Sequence, residues 1–195
     1  MKPLDEIADY LNGLACQKHP PIEGQKALPV IKIRELWQGI TNNTDRASAD
    51  VPPKYIVEDG DVLFSWSGSL LVSIWFGGRG VLNQHVFKVT SANFPKWYFY
   101  QATKHHLDGF QRIASGKATT MGHIKRHHLT DAKMAIPGEE LMAKATEVLG
   151  TMLDRRINAL KQARILAITR DTLLPKLLSG EIEPPEAAAG AKEVS

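Results

Sequence analysis

The longest helical pattern in the chain lies towards its C-terminus. Over residues 139–178, apolar side chains recur at spacings of three, four or their sums, as on one face of an α-helix. At 1.5 Å per residue this helix would be about 60 Å long, whereas globular helices average about 11–12 residues. We therefore expect its apolar stripe to contact a partner. The stripe comprises Leu149, Leu153, Ile157, Leu160, Ala167, Leu174 and Leu178.

A proline near the end of this pattern predicts where the helix stops. Pro175 has no backbone N–H to donate to an interior helical bond, so a kink or end is expected at Leu174, with a separate turn to Gly180. Residues 181–195 are rich in Glu, Pro and Ala, a composition typical of a disordered tail.

The preceding sequence alternates between short helical and strand patterns. Residues 3–13 predict an amphipathic helix with Leu4, Ile7, Ala8 and Leu11 on one face and Gly13 at its end. The polar residues 41–48 predict an exposed loop, and an aromatic helix is expected to begin at Phe94. Runs rich in β-branched and aromatic residues predict strands at 28–33, 55–57, 62–66, 70–76, 85–89 and 132–136.

These elements predict an α+β fold. We expect one globular domain with a mixed or antiparallel β core at residues 1–137, one long helix at 138–180 and a disordered tail at 181–195. With 43% hydrophobic residues and four Trp, the 195-residue chain has the composition of an ordered core. Its single cysteine, Cys16, excludes a disulfide within the chain and fits a reducing compartment.

The charge is unevenly distributed although the net charge is only +3. Residues 103–133 contain six Lys/Arg against two acids, together with five of the seven histidines. Such a stretch can bind an anionic partner, although a solvated face balanced by acids elsewhere is an equal alternative. The N-terminus shows no apolar signal region, and no window approaches the ~20 apolar residues of a membrane span. We expect a cytoplasmic protein.

No catalytic signature is found among the motifs. Residues 77–80 are glycine-rich but lack the Gly-Lys-Ser/Thr ending of a phosphate loop. The serines at 65 and 67 lack the leading glycine of a nucleophile elbow, and 51–54 lacks the polar and aromatic residues of a methyltransferase tetrapeptide. His123 and His127 have the i,i+4 spacing of metal pairs, but no cysteine is near and phosphate-facing histidines are favoured.

Two segments carry groups that suit nucleic-acid binding. Residues 115–126 combine hydroxyls, glycines and the adjacent cations Lys125 and Arg126, which are groups that contact phosphates. Residues 83–85, Asn-Gln-His, can read base edges, and a Gln can pair bidentately with adenine. The alternative is that Gln84 and Thr120 only satisfy nearby backbone groups.

Four longer motifs occur in order along the chain. They are Asp-Gly-Asp-Val-Leu-Phe-Ser-Trp-Ser-Gly-Ser-Leu (59–70), Leu-Asn-Gln-His-Val-Phe-Lys-Val (82–89), Thr-Thr-Met-Gly-His-Ile-Lys-Arg (119–126) and Leu-Leu-Pro-Lys-Leu-Leu-Ser-Gly-Glu-Ile (173–182). Through these motifs the chain resembles the specificity subunits of type I restriction-modification systems. The resemblance covers about residues 3–182, which is nearly the whole chain.

The resemblance implies a non-catalytic role in DNA recognition. Members of this family carry two target-recognition domains, each followed by a long helix, and the two helices pack antiparallel. This chain looks like a half-length form with one target-recognition domain and one helix, which would pair with a second copy as an antiparallel coiled coil. The homodimer would direct methyltransferase and restriction subunits to a bipartite site in double-stranded DNA. S-adenosylmethionine, ATP and magnesium would be used by those partners, not by this chain.

Two other classes of function stay open beside this one. The chain could be a scaffold for methyltransferase subunits without its own DNA readout, or a small enzyme, which the missing cofactor and nuclease motifs disfavour. Phe64, Trp66, Met121 and Ile124 are expected to pack in the core. The expected DNA-facing residues are Thr119, Thr120, His123, Lys125, Arg126, Gln84, Arg79 and Lys117. The expected dimer interface is Leu149, Leu153, Ile157, Leu160, Ala167 and Leu174.

Overall fold

A computed structural model describes residues 1–116 and 122–182. The chain divides into two compact units, Met1–Ile157 and Asn158–Ser195. The strands are β1 Lys2–Pro3, β2 Asp9–Asn12, β3 Ala27–Ile31, β4 Arg46–Ser48, β5 Ile56–Val57, β6 Val62–Ser65, β7 Leu71–Ile74, β8 Gly80–Leu82, β9 Val86–Thr90 and β10 Lys133–Met134. The helices are α1 Leu4–Ile7, α2 Ile33–Gln38, α3 Lys96–His105, α4 Leu107–Ser115, α5 His127–Asp131, α6 Glu139–Ala145 and α7 Thr151–Leu178.

The first unit is built on two four-stranded sheets. One is antiparallel throughout, with the strand order β2-β9-β6-β7. The other is mixed, with the order β4-β3-β8-β5, because β3 and β8 run parallel while the outer pairs are antiparallel. The α+β class and the mixed or antiparallel β core expected from the sequence are therefore confirmed.

Strand β6 contributes to the core on both of its faces. Val62 and Phe64 belong to the cluster that includes the side chains of α1, α3 and α4, whereas Leu63 packs in a second cluster with Ile31 and Leu82 of the mixed sheet. Successive side chains of a strand point to opposite faces of its sheet. The antiparallel sheet is thus covered by helices on one face and by the other sheet on the opposite face.

The prediction of a helix at residues 3–13 is wrong beyond Ile7. Residues Asp9–Asn12 form β2, which pairs with β9, and Tyr10 is buried with its hydroxyl 2.7 Å from Thr103 Oγ1. Leu4 and Ile7 still pack in the core, as the helical pattern predicts. The helical pattern misleads because Leu4, Ile7 and Leu11 satisfy helical spacing while residues 9–12 also fit a strand, and pairing with β9 decides between them.

The mixed sheet contains two strands that the sequence pattern does not predict. Residues 46–48, expected in an exposed loop, form β4 with Ala47 fully buried, and residues 80–82 form β8 directly after the glycine-rich turn. In the predicted strand at 28–33, the last residue instead begins α2. Both unpredicted strands have three residues, too few to show a period of two.

The long C-terminal helical pattern is confirmed, with two local differences. A π-helical turn at Thr146–Gly150 separates α6 from α7, and α7 continues through Pro175 to Leu178 instead of ending at Leu174. Pro175 lacks the N–H that would donate to the Asp171 carbonyl, so the helix loses that bond in the turn before Pro175. The chain then leaves the helix at Gly180, whose φ of +74° suits glycine.

The first turns of α7 are anchored in the first unit. Leu153 and Ile157 are only 9% and 6% exposed and belong to the same cluster as Trp97 and Phe99. The first unit therefore extends to Ile157, whereas the sequence predicts that the globular domain ends at residue 137. In the described ranges 1–116 and 122–182, no helix is long and apolar enough to cross a bilayer.

We predict that this anchor contributes measurably to the stability of the first unit. Leu153→Ala should lower the free energy of unfolding by about 2–5 kcal/mol, because it removes buried methyl groups and leaves a cavity. The matched control is Leu141→Ala in α6, where the side chain is 61% exposed and the change should stay within about 0.5 kcal/mol. Urea denaturation at one protein concentration measures both, and equal effects would contradict the anchor.

Candidate nucleic-acid interface

Three separate segments meet just beyond the C-terminal end of β6. Residues 122–126 run beside residues 66–68, because Ile124 N–H donates to the Trp66 carbonyl at 3.0 Å and Gly68 N–H donates to the Gly122 carbonyl at 2.7 Å. The loop at 83–85 adjoins them, since Trp66 N–H donates to the His85 carbonyl at 3.3 Å. Residues far apart in sequence thus form one surface.

Trp66 lies at the centre of this surface. Its Nε1 donates to Asn12 Oδ1 at 2.9 Å and to the Gln84 carbonyl at 3.2 Å, while its ring stacks on Phe87 at 5.8 Å between centroids. The His123 ring meets the Trp66 ring edge-on at 6.4 Å. Trp66 is only half-buried, so it packs against the core, as predicted, and also forms part of the surface.

A cleft of about 340 Å³ opens over this tryptophan, lined by Asn12, Trp66, Phe87, His123, Ile124, Lys125 and Arg126. Its floor is apolar, because Phe87 and Ile124 are buried, and the side chains of Lys125 and Arg126 are exposed beside it. Cationic groups around an aromatic floor suit a ligand that is both anionic and planar. A nucleic acid has both properties.

The two cations are held differently. Arg126 Nη2 donates to the Tyr10 carbonyl at 3.2 Å, and its guanidinium lies 5.6 Å from the centroid of the Phe87 ring. At Lys125 it is the backbone N–H that is bonded, to His128 Nδ1 at 3.0 Å. Arg126 is therefore positioned by the sheet, whereas the Lys125 side chain extends from a fixed backbone.

The support beneath Arg126 is rigid. Tyr10 is buried between Phe64 and Phe87, with edge-on ring contacts at 6.4 and 5.9 Å. Burial raises the pKa of the Tyr10 hydroxyl well above its usual range, so this group stays protonated and shares its hydrogen bond with Thr103. The Tyr10 carbonyl that accepts from Arg126 thus belongs to one of the best-packed residues of the core.

Two glycines allow the segments to approach one another. A Cβ on Gly13 would lie 2.2 Å from the Asn83 carbonyl oxygen, and one on Gly122 would lie 2.5 Å from the Ala114 carbonyl oxygen. The first approach lets the Leu14 carbonyl accept from Gln84 N–H at 2.8 Å. The second packs residues 122–126 against the end of α4. Any larger residue at either position would displace backbone.

The structure brings together four of the residues predicted to face DNA. His123, Lys125 and Arg126 line the cleft, and the Gln84 carbonyl and side chain lie next to it. Arg79 lies elsewhere: it pairs with Glu58 at 3.2 Å and lines another pocket with Asp61 and Lys88. The other predicted DNA-facing residues, Lys117, Thr119 and Thr120, fall outside the described residues, as does Met121.

Sequence reasoning does not identify Asn12 and Phe87 as parts of the site. The helical pattern includes Asn12, and only the pairing of β2 with β9 places it beside Trp66. Phe87 has the signature of a core residue and is one, but its ring also supports Trp66 and Arg126. In the described part of the chain, no group of three or more His, Cys, Asp or Glu could hold a metal ion.

No protein-family model matches the chain. The specificity subunit of the type I restriction enzyme EcoBI from Escherichia coli is 25% identical over 185 residues, covering 92% of this chain and 38% of the relative. The specificity subunit of the type I restriction enzyme MjaIX from Methanocaldococcus jannaschii is 24% identical over 197 residues, covering 95% of this chain and 45% of the relative.

The chain resembles a half-length type I specificity subunit. It spans less than half the length of the curated relatives that it matches, and the resemblance seen in the motifs is confirmed. The crystal structure of a type I restriction-modification S subunit from M. genitalium shares the fold, with a TM-score of 0.51 and 16% identity. That similarity covers 90% of this chain and 44% of the M. genitalium chain.

We predict opposite effects of the same substitution at two glycines near this surface. Gly122→Ala should destabilise the first unit, by about 1–3 kcal/mol, because the new methyl group collides with the Ala114 carbonyl. Gly109→Ala, in α4 with nothing within 4 Å of the added Cβ, should instead stabilise the helix by about 0.5–1 kcal/mol. Thermal denaturation followed by circular dichroism compares the two, and a stable Gly122→Ala protein would contradict the close packing.

Proposed function

We propose that this chain is a sequence-specific DNA-recognition subunit of a type I restriction-modification system. The observation that supports the proposal is the cleft that combines exposed cations with a half-buried tryptophan, whose Nε1 donates to the carbonyl of Gln84. It is supported by the similarity to specificity subunits over more than nine-tenths of the chain. In this role the chain performs no chemistry and directs partner methyltransferase and restriction subunits to their DNA site.

The cations and the amide contact different parts of the DNA in this proposal. Lys125 and Arg126 neutralise phosphates, which supplies affinity and orientation without sequence information. Gln84 offers both a donor and an acceptor to a base edge, which is the source of sequence preference. His123, in edge contact with Trp66, lines the same cleft as the two cations.

We also propose that two copies of the chain pair through α7. C-terminal to Ile157, this helix exposes a series of large apolar side chains: Ile165, Leu166, Ile168, Leu173, Leu174, Leu177 and Leu178. Soluble proteins rarely leave so much apolar surface in water unless it is an interaction site. Closed two-fold pairing of antiparallel helices covers one face of α7, and that face is the same on both copies.

We assign fewer residues to the dimer interface than the sequence analysis does. Leu153 and Ile157 are already covered by their own unit, so their side chains are not available to a partner helix. Leu149 lines a pocket with Trp97 and Met152 and is partly exposed. Leu160, Ala167 and Leu174 follow each other at seven-residue intervals and form the seam that we assign to the pair.

This dimer would define the form of the DNA target. Two identical recognition units related by a two-fold axis would read two inverted half-sites, separated by a spacer that the helices set. Methyltransferase and restriction subunits would join this assembly and bring S-adenosylmethionine, ATP and magnesium with them. A scaffold without DNA readout would assemble the same partners but would show no sequence preference, so DNA binding by the purified chain separates the two functions.

We predict that Lys125 binds one phosphate in each recognition unit. Lys125→Ala should weaken binding to all duplex sequences alike and reduce the slope of log K against log salt by about one for each phosphate that is no longer neutralised. Fluorescence anisotropy of labelled duplexes across a salt series measures this slope. The sequence preference should not change, because binding to a phosphate carries no base information.

The matched control for the charge change is Lys144→Ala. Lys144 is exposed on α6 and pairs with Glu140 at 2.7 Å, so its removal alters the net charge equally without touching the cleft. The control should keep the salt slope of the wild-type protein. Identical slopes for the wild type and both variants would remove Lys125 from the interface, and a chain that binds no duplex would favour the scaffold function.

For the dimer, we predict that Leu174→Glu shifts the chain towards the monomer. A carboxylate on the proposed seam would have to be buried beside an apolar partner, which is costly unless the charge is paired. The control is Thr172→Glu, two residues away on the opposite side of the helix, where the chain should stay dimeric. Sedimentation equilibrium at tens of micromolar decides, and a strictly monomeric wild-type protein would refute the pairing.

A further inference from the structure

His85 lies between a buried hydroxyl and a half-buried amide. Its Nδ1 is 3.0 Å from Ser67 Oγ, and its Nε2 is 3.3 Å from Nε2 of Gln84. Ser67 is 3% exposed, whereas Gln84 is half-buried and its carbonyl accepts from Trp66, which lines the cleft. The imidazole thus connects the interior of the domain to the group that we assign to base reading.

The backbone around this contact has little freedom. Gln84 N–H donates to the Leu14 carbonyl at 2.8 Å, and the Gln84 carbonyl accepts from Trp66 Nε1 at 3.2 Å. The next N–H, of His85, donates to Asn83 Oδ1 at 3.2 Å. With the backbone held in this way, only the side-chain torsions of Gln84 are free to change. The contact with the His85 imidazole restricts these torsions.

The direction of each hydrogen bond follows from the chemistry of the groups. An amide nitrogen can only donate, so His85 Nε2 must accept from Gln84. With Nε2 accepting, the ring proton lies on Nδ1, from which it is donated to Ser67 Oγ. With one N–H of the Gln84 amide turned to the ring, its other N–H and its Oε1 lie side by side. This pair of one donor and one acceptor matches N7 and N6 of adenine.

We propose that His85 is a positioning residue that holds the Gln84 amide in the orientation that selects adenine in each half-site. The inference rests on the proposed function, because it assigns the source of sequence preference within the same cleft. His85 itself makes no base contact in this arrangement. Ser67 holds the orientation of the imidazole ring through its contact with His85 Nδ1.

Two substitutions at His85 separate this role from a general structural one. Glutamine places its amide near the position of Nε2 and can still accept from Gln84, whereas asparagine reaches only the position of Nδ1 and keeps the contact with Ser67. The target of each protein is determined by selection from a randomised duplex library followed by sequencing. Binding to an unrelated duplex and the melting temperature are measured in parallel.

In the Gln84→Ala protein, we expect the preference for adenine to be lost at one position of the selected site. That position identifies the base that Gln84 contacts. His85→Asn should reduce the adenine preference at that same position on the order of tenfold, which is typical of one bidentate contact. His85→Gln should restore it to within about twofold of the wild type. Adding His85→Asn to Gln84→Ala should cause no further reduction, because the two residues act through one contact. Binding to the unrelated duplex should not change.

Three results would overturn the inference. His85→Asn could keep the adenine preference, it could alter positions that Gln84→Ala leaves intact, or it could weaken specific and unrelated duplexes equally. In each of these cases the wild-type preference persists, so the proposed function survives while the role of His85 does not. A wild-type chain that selects no sequence at all would overturn both.

Discussion

The burial of β6 on both faces is the constraint on which the rest of the first unit depends. Val62 and Phe64 meet the helices on one side, and Leu63 meets the mixed sheet on the other. Because both faces are buried, a shift by one residue would move Phe64 to the face that holds Leu63 and would disrupt the packing on both sides. Its end is therefore fixed in space, and Trp66 and Ser67 follow directly after it. The positions of the residues that line the cleft therefore depend on this strand.

Much of this architecture can be predicted from the sequence, and the failures share one physical cause. Strands β6 and β9 are evident from their β-branched and aromatic residues, and the C-terminal helix is evident because its apolar spacing holds over residues 139–178. Residues 9–12 and the short strands β4 and β8 escape prediction because long-range pairing, not local pattern, determines them. Likewise, nothing local distinguishes Leu153 and Ile157, which pack on their own unit, from Leu174 further along the same stripe.

In the candidate site, too, residues that are adjacent in sequence can be recognised from the sequence, whereas contacts between distant residues cannot. The cations and histidine of residues 123–126 are evident as a cluster because they are adjacent in sequence. The placement of Asn12 beside Trp66, across 54 positions, and of Ser67 beside His85, across 18, depends on the completed fold. Composition can thus suggest an anionic ligand, whereas the grouping of Asn12 and Trp66 with those cations requires the structure.

The close approaches at Gly13 and Gly122 separate what can vary in this surface from what cannot. At both positions a methyl group would meet backbone atoms, so the paths of the flanking segments are fixed by the absence of a side chain. The side chain of Lys125, exposed beside the cleft, is under no such restriction. Under the proposed function, exchange of an exposed side chain beside the cleft would change what the protein binds while the supporting backbone stays the same.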